Sequence, residues 1–152
     1  MGRFLGIAAA LFCFLFIAGP AASAYLNDGE IVELINRYRR VHNLKPLKEN
    51  LKLKLSSRLK VKDMASHGYF SHAGSNGEAF HLNVRKANYT YRAIAEILAL
   101  NGPNERLVFE AWVNSARHKA TIMDPDLDEI SCSNGSSRSG AYVACHLGRS
   151  NR

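Results

Sequence analysis

Asp63-Met64-Ala65-Ser66-His67-Gly68-Tyr69-Phe70-Ser71-His72 is the stretch on which the reading of this chain turns. It leaves a helical segment at a glycine and ends on a histidine in a loop. Two further phrases follow it in order. Ala93-Ile94-Ala95-Glu96-Ile97-Leu98-Ala99 is a short apolar run around one acid. Glu110-Ala111-Trp112-Val113-Asn114-Ser115-Ala116-Arg117-His118-Lys119-Ala120-Thr121-Ile122-Met123 carries a tryptophan and a second histidine. An acid inside an apolar run is costly to bury without a partner, so Glu96 is expected to pair with a histidine or a cation. No His-Glu-x-x-His, Gly-x-Ser-x-Gly or phosphate-binding glycine loop is present. Ser115 and His118 can meet on a helix, but no acid is placed to orient such a dyad.

Working outward, Asn27 or Asp28 can cap a first helix on which Ile31, Leu34, Ile35 and Tyr38 share a face. Asn43 to Pro46 breaks it. Leu47 to His67 reads either way: Leu51, Leu53 and Leu55 alternate like a strand, while Leu51, Leu55 and Leu59 share a helical face. Its length and its Lys, Leu, Ser and Arg content favour helix. Gly68 to Gly77 is a loop, and Ala79 to Ala87 a short helical stretch. Gly102-Pro103 is expected to open a further helix, with proline in its first turn and Leu107, Val108, Ala111 and Trp112 as its apolar face. At the C-terminal end, Glu129–Ser133 and Ala141–Leu147 flank a loop, Asn134 to Gly140, rich in turn formers, which predicts a β-hairpin. Cys132 and Cys145 are placed symmetrically about that loop.

The three phrases, in that order, resemble the bacterial form of the CAP superfamily (cysteine-rich secretory proteins, antigen 5, pathogenesis-related 1). That family carries a "dMa…yFSH" phrase, a "GENIA" phrase and a "W-x-x-S-x-x-H-R-x-N-I-L" phrase. Leu34-Ile35-Asn36-Arg37-Tyr38-Arg39 is similar to its "lN..R" helix. Leu44-Lys45-Pro46-Leu47 is similar to its "gl.pL" turn, and Arg85 and Tyr89 fit an "R…GY" stretch. The resemblance spans about Ile31 to Gly148. It implies an α+β fold, an α-β-α sandwich with a small antiparallel sheet between helical layers. It also implies a shallow cleft of two histidines and acidic residues that binds a divalent metal in some members. Carried over, His72 and His118 are the candidate metal ligands, and Glu96 the cleft acid and candidate catalytic base. Two neutral imidazoles are good zinc ligands, but two alone make a weak, open site. This chain departs from the pattern: Ala95-Glu96-Ile97 replaces Gly-Glu-Asn, and Lys119 stands where the phrase has arginine. The second acid that many eukaryotic members carry just after the tryptophan is missing. Glu110, before Trp112, is the candidate substitute, with an exposed helix acid as the alternative.

The remaining readings concern export and surface. Arg3, the apolar run Phe4 to Ala18, and Ala22-Ser23-Ala24 form a secretory signal pattern with cleavage after Ala24; the alternative is an uncleaved anchor. Cutting there leaves residues 25–152 as one domain, in the periplasm or outside the cell. Cys13 leaves with the signal. The remaining even pair in an exported chain is read as one disulfide, Cys132 to Cys145, against the alternative of two buried thiols. The formal net charge of +7 becomes +6 without Arg3. Lys45, Lys48, Lys52, Lys54, Arg58, Lys60 and Lys62 concentrate that charge in one segment, which suits an anionic surface or is simply a solvated helix face. Export and the lack of a nucleic-acid motif argue against nucleic-acid binding. Three functions compete. One is a monomeric binding module for a lipid-like or small ligand, its cleft tuned by zinc. The second is a metal-assisted hydrolase. The third is an envelope or host interaction protein that acts through its basic surface.

Overall fold

The computed structural model of the chain describes residues 26–151, so the signal pattern lies outside the described residues. Five helices and four strands follow in order among the described residues: α1 (Asp28–Val41), β1 (Lys48–Glu49), α2 (Leu51–His67), α3 (His81–Lys86), β2 (Tyr91–Leu100), α4 (Glu105–Val113), α5 (Ala116–Ile122), β3 (Glu129–Ser137) and β4 (Gly140–Ser150). The sheet order is β1-β3-β4-β2. β4 pairs antiparallel with both β2 and β3, while the two-residue β1 runs parallel to β3. The three long strands form the small antiparallel sheet that was expected, with β1 as a short parallel addition at its edge.

Strand alternation divides the core into two layers. On one face Val143, Cys145 and Leu147 of β4 join Ile97, Ile130 and Cys132. They pack against Ile31 and Ile35 of α1, Val108 and Trp112 of α4, and Ile122 of α5. On the other face Tyr142 and Ala144 join Leu98 against Val61 and Met64 of α2. Leu53, Val84 and Tyr89 fill the space between α2, α3 and the sheet. The result is the α-β-α sandwich. Cys132 and Cys145 stand directly opposite in the β3–β4 register and are bonded, with Cα atoms 4.0 Å apart. Closing so short a loop is worth about 3 kcal/mol in the chain-entropy account.

Two of the quoted phrases prove to be framework. Asn36 is buried and locks the turn at Leu47, donating to its carbonyl at 2.9 Å and accepting from its N–H at 2.7 Å. Arg39 is also buried, and its guanidinium donates to the carbonyls of Lys45, Ile122, Asp124 and Leu127. One side chain thereby ties α1 to the end of α5 and the approach to β3. Burial lowers the Arg39 pKa, partly offset by Asp124.

Several boundaries differ from the sequence reading. The second helix begins at Leu51, where Asn50 accepts from the Lys52 N–H at 2.9 Å. Residues 48–49 pair with β3 instead. Pro103 stays outside α4, because the Asn104 side chain caps that helix by accepting from the Leu107 N–H at 2.9 Å. Leu107 and Ala111 are exposed, so the buried face of α4 is Val108 and Trp112 alone. The hairpin strands run on to Ser137 and from Gly140, which shrinks the expected loop to a turn at Arg138-Ser139. Gly140 has φ +142°, and a Cβ there would come within 2.5 Å of Asn101 Oδ1. Only glycine suits that corner.

Candidate functional site

The site is assembled at β2, an edge strand of the sheet. α2 stops at Gly68, which takes the left-handed conformation at φ +65°. The loop beyond it is then folded back onto the helix by two α2 side chains. Asp63 accepts from the Tyr69 hydroxyl, from the Ser75 N–H at 2.9 Å and from the Ser75 hydroxyl at 2.7 Å. Burial pushes the Asp63 carboxyl up. The hydrogen bonds from Tyr69 and Ser75, with the charge of His67, outweigh that and hold its pKa at about 2. Lys60, fully buried, donates to the carbonyls of His72 at 3.1 Å and Ala73 at 2.7 Å, with the Tyr69 hydroxyl at 3.4 Å. Its pKa is lowered by burial, against the raising effects of Glu96 and Asp63.

That loop carries His72 to Glu96. Glu96 lies in the middle of β2 with its side chain fully enclosed, and its Oε1 accepts from His72 Nδ1 at 2.7 Å. Its Oε2 accepts from His146 Nε2 at 2.8 Å, a residue directly opposite it in the β2–β4 register. His146 Nδ1 in turn meets the Ser56 hydroxyl of α2 at 2.6 Å. A proton on Nε2 satisfies both contacts, since Nδ1 then accepts from Ser56. The expected pairing of Glu96 with a histidine is therefore present, twice over. With Nδ1 of His72 engaged, its other ring nitrogen is left to the half-exposed mouth of the site. His118 stands on α5, which packs against β2, close enough to feel the charge of His72. Its pKa is lowered by burial first, then by the neighbouring charges of His72 and Arg117. That favours an uncharged ring.

The sequence reading found no context for His146, and the structure makes it the second partner of Glu96. The one available signal was its position in the second hairpin strand, on the same face as Tyr142 and Ala144. His67 is exposed and pairs with Asp63 at 3.0 Å, outside the cluster. Glu110 points elsewhere: it pairs with Arg106 at 3.6 Å and lines a groove between α1 and α4. This groove, of 240 Å³, is walled by Leu34, Tyr38, Val41 and Phe109, with Arg37, Arg106 and Glu110 along it.

Zinc prefers a tetrahedral shell with three or four protein donors. Among the described residues no group of three or more His, Cys, Asp or Glu side chains is arranged to hold a metal ion. Both oxygens of Glu96 are already taken by imidazoles. Of the expected donors that leaves His72 and His118, and two imidazoles do not make a closed zinc site.

A three-layer α-β-α domain with a buried Glu–His centre at the edge of its sheet is the class this geometry defines. The pattern of the cysteine-rich secretory protein family (CAP) matches residues 32–147, and the chain belongs to that family. Uncharacterized protein YkwD of Bacillus subtilis (strain 168) is 32% identical over 114 residues, 74% of this chain and 43% of YkwD. The chain therefore spans less than half of that relative. An extracellular protein containing an SCP domain from Bacillus anthracis str. Ames superposes with a TM-score of 0.72 at 19% identity, over 80% of this chain and 40% of that one. An outer surface protein from Borrelia burgdorferi does so with a TM-score of 0.75 at 19% identity, over 81% of this chain and 92% of that one. These two likenesses establish the fold.

Proposed function

We propose that this chain is an exported binding module that seats a lipid-like, single-chain amphiphile between α1 and α4. The observation that carries this reading is the groove itself: apolar walls from Leu34, Tyr38, Val41 and Phe109 beside the cation Arg37, with Arg106 paired to Glu110 along it. Apolar side chains take an alkyl chain, and a guanidinium takes a carboxylate or phosphate head. Its 240 Å³ is smaller than the ~300–1,000 Å³ of drug-sized pockets, which suits one chain lying along the helices rather than a ring system. Export is supported by the N-terminal signal pattern and by a cross-strand disulfide, a feature of oxidising compartments.

The hydrolase reading is weakened by the state of Glu96. A general base needs a free oxygen within reach of water, and both oxygens of Glu96 are enclosed and bonded. We read the cluster as a fixed polar centre that holds the loop and the sheet edge together.

Titration calorimetry with a medium-chain fatty acid and with the matching alcohol tests the groove. The acid should bind more tightly than the alcohol. Val41→Asp, at a position 69% exposed, should cut affinity about tenfold or more without unfolding the protein. Unchanged binding by Val41→Asp would refute the groove. Ester or amide hydrolysis with added zinc that is lost in Glu96→Gln would favour the hydrolase.

A further inference from the structure

We propose that the solvent-facing side of α2 is a docking surface for an anionic lipid bilayer. This goes beyond the amphiphile groove, which lies in the other helical layer, and does not depend on it. The basic segment singled out in the sequence is not one patch once folded. Lys60 is buried beneath the loop at His72 and Ala73. Lys54 is drawn towards α1, donating to Asp28 at 2.5 Å and to the Cys132 carbonyl at 2.6 Å. What remains outside is more ordered. Leu51, Leu55, Arg58 and Lys62 recur at spacings of four, three and four, so they form one column along the helix. All four are exposed, Leu51 at 87% and Leu55 at 45%. Lys48 and Lys52 are exposed beside the upper end of the column, and Lys45 lies close before them in sequence. Acids lie in the same region too, among them Glu78, which lines a pocket with Lys62 and pairs with Lys86. Glu49 is exposed on β1, and Asp63 is turned to Tyr69 and Ser75.

Single exposed leucines need no explanation. Two of them, one turn apart at the head of a column that continues in two cations, on a helix whose other side is fully used, fit a particular environment. A polyanion in water would match the cations and leave both leucines wet. A second copy of this chain would bring like charges together. An anionic bilayer satisfies both features: the cations lie among the phosphate head groups, and the leucines enter the acyl boundary just below.

Vesicle sedimentation tests this with residues 25–152, which contain every described element and every core residue among the described residues. Vesicles containing phosphatidylglycerol should bind, more weakly as salt rises, and pure phosphatidylcholine vesicles should not. Leu51→Ser with Leu55→Ser should lower vesicle affinity about tenfold or more. Arg58→Ser with Lys62→Ser should lower it about fivefold per cation and flatten the salt dependence. Thermal melts of both variants should match the parent, because all four side chains are exposed. Linear polyphosphate serves as the competing probe and should bind weakly, with no effect of the leucine changes. Vesicle binding that ignores the leucine pair, or polyphosphate binding as tight as vesicle binding, would overturn the proposal.

Discussion

Glu96 shows how much one side chain can organise. It sits on an edge strand with both oxygens accepting from imidazoles, at 2.7 Å from His72 and 2.8 Å from His146. A carboxylate enclosed in this way is tolerable only while those donors persist. Removing one partner of a buried, hydrogen-bonded charge costs more than the bond itself, because the other partner stays desolvated. His146→Leu should therefore destabilise the fold by about 3 kcal/mol. Ser56→Ala, which leaves only a ring nitrogen unpaired, should cost about 1 kcal/mol. Denaturant titration of the two variants checks the order. Nitrogen-15 spectra of the imidazoles should also show the His72 proton on Nδ1, held by Glu96 Oε1. A His146→Leu variant as stable as the parent would mean that the cluster is not what holds the sheet edge.

At the scale of elements, α2 is unusual in what it buries. Against the sheet it presents Leu53, Val61 and Met64 interleaved with Ser56, Ser57 and Lys60. Each polar group has a partner: Ser57 meets Ser133 at 2.8 Å, Ser56 meets His146, and Lys60 holds the loop. This is why apolar periodicity described α2 poorly. Strand and helix patterns overlapped because half of the buried face is not apolar. Lys60 illustrates the function of that seam, since its ammonium spans from α2 to the backbone that carries His72. Lys60→Met keeps the stem but leaves two carbonyls unpaired. It should cost about 2 kcal/mol in stability. In hydrogen exchange it should speed the amides of residues 70–78 by more than those of β4. Equal exchange across the loop in both proteins would remove the anchoring role of Lys60.

For the molecule as a whole, the acid limit of stability is where these contacts become visible. The Asp63 carboxyl is held at about 2, below its ordinary value of 3.8, by the donors that close the loop. A depressed carboxylate contributes stability that is fully present above the ordinary value. It is lost as pH falls from about 4 through about 2, because the unfolded chain takes up the proton first. The melting temperature of the parent should fall through that window. Asp63→Asn should be less stable at neutral pH and should show a flatter fall. A parent and a variant with parallel profiles would place the acid sensitivity elsewhere. The net positive charge adds self-repulsion in the same range, and it is common to both proteins.

The sequence by itself carried the family resemblance, which implied the layered architecture, and the cysteine pair, because both rest on local order: phrases in a set succession, and two cysteines equidistant from a turn-rich loop. It also carried the pairing of Glu96 with a histidine, which the structure shows at His72. Only the tertiary structure decided that His146 completes the pairing of Glu96, because that contact depends on the register of β2 against β4, two strands 50 residues apart at the point of contact. Likewise only packing decided that Lys60 is core and Leu51 surface, and that Glu110 faces a groove with Arg106 rather than the histidines. Residue type states what a side chain can satisfy. Which partners arrive to satisfy it is settled when distant segments are brought into contact.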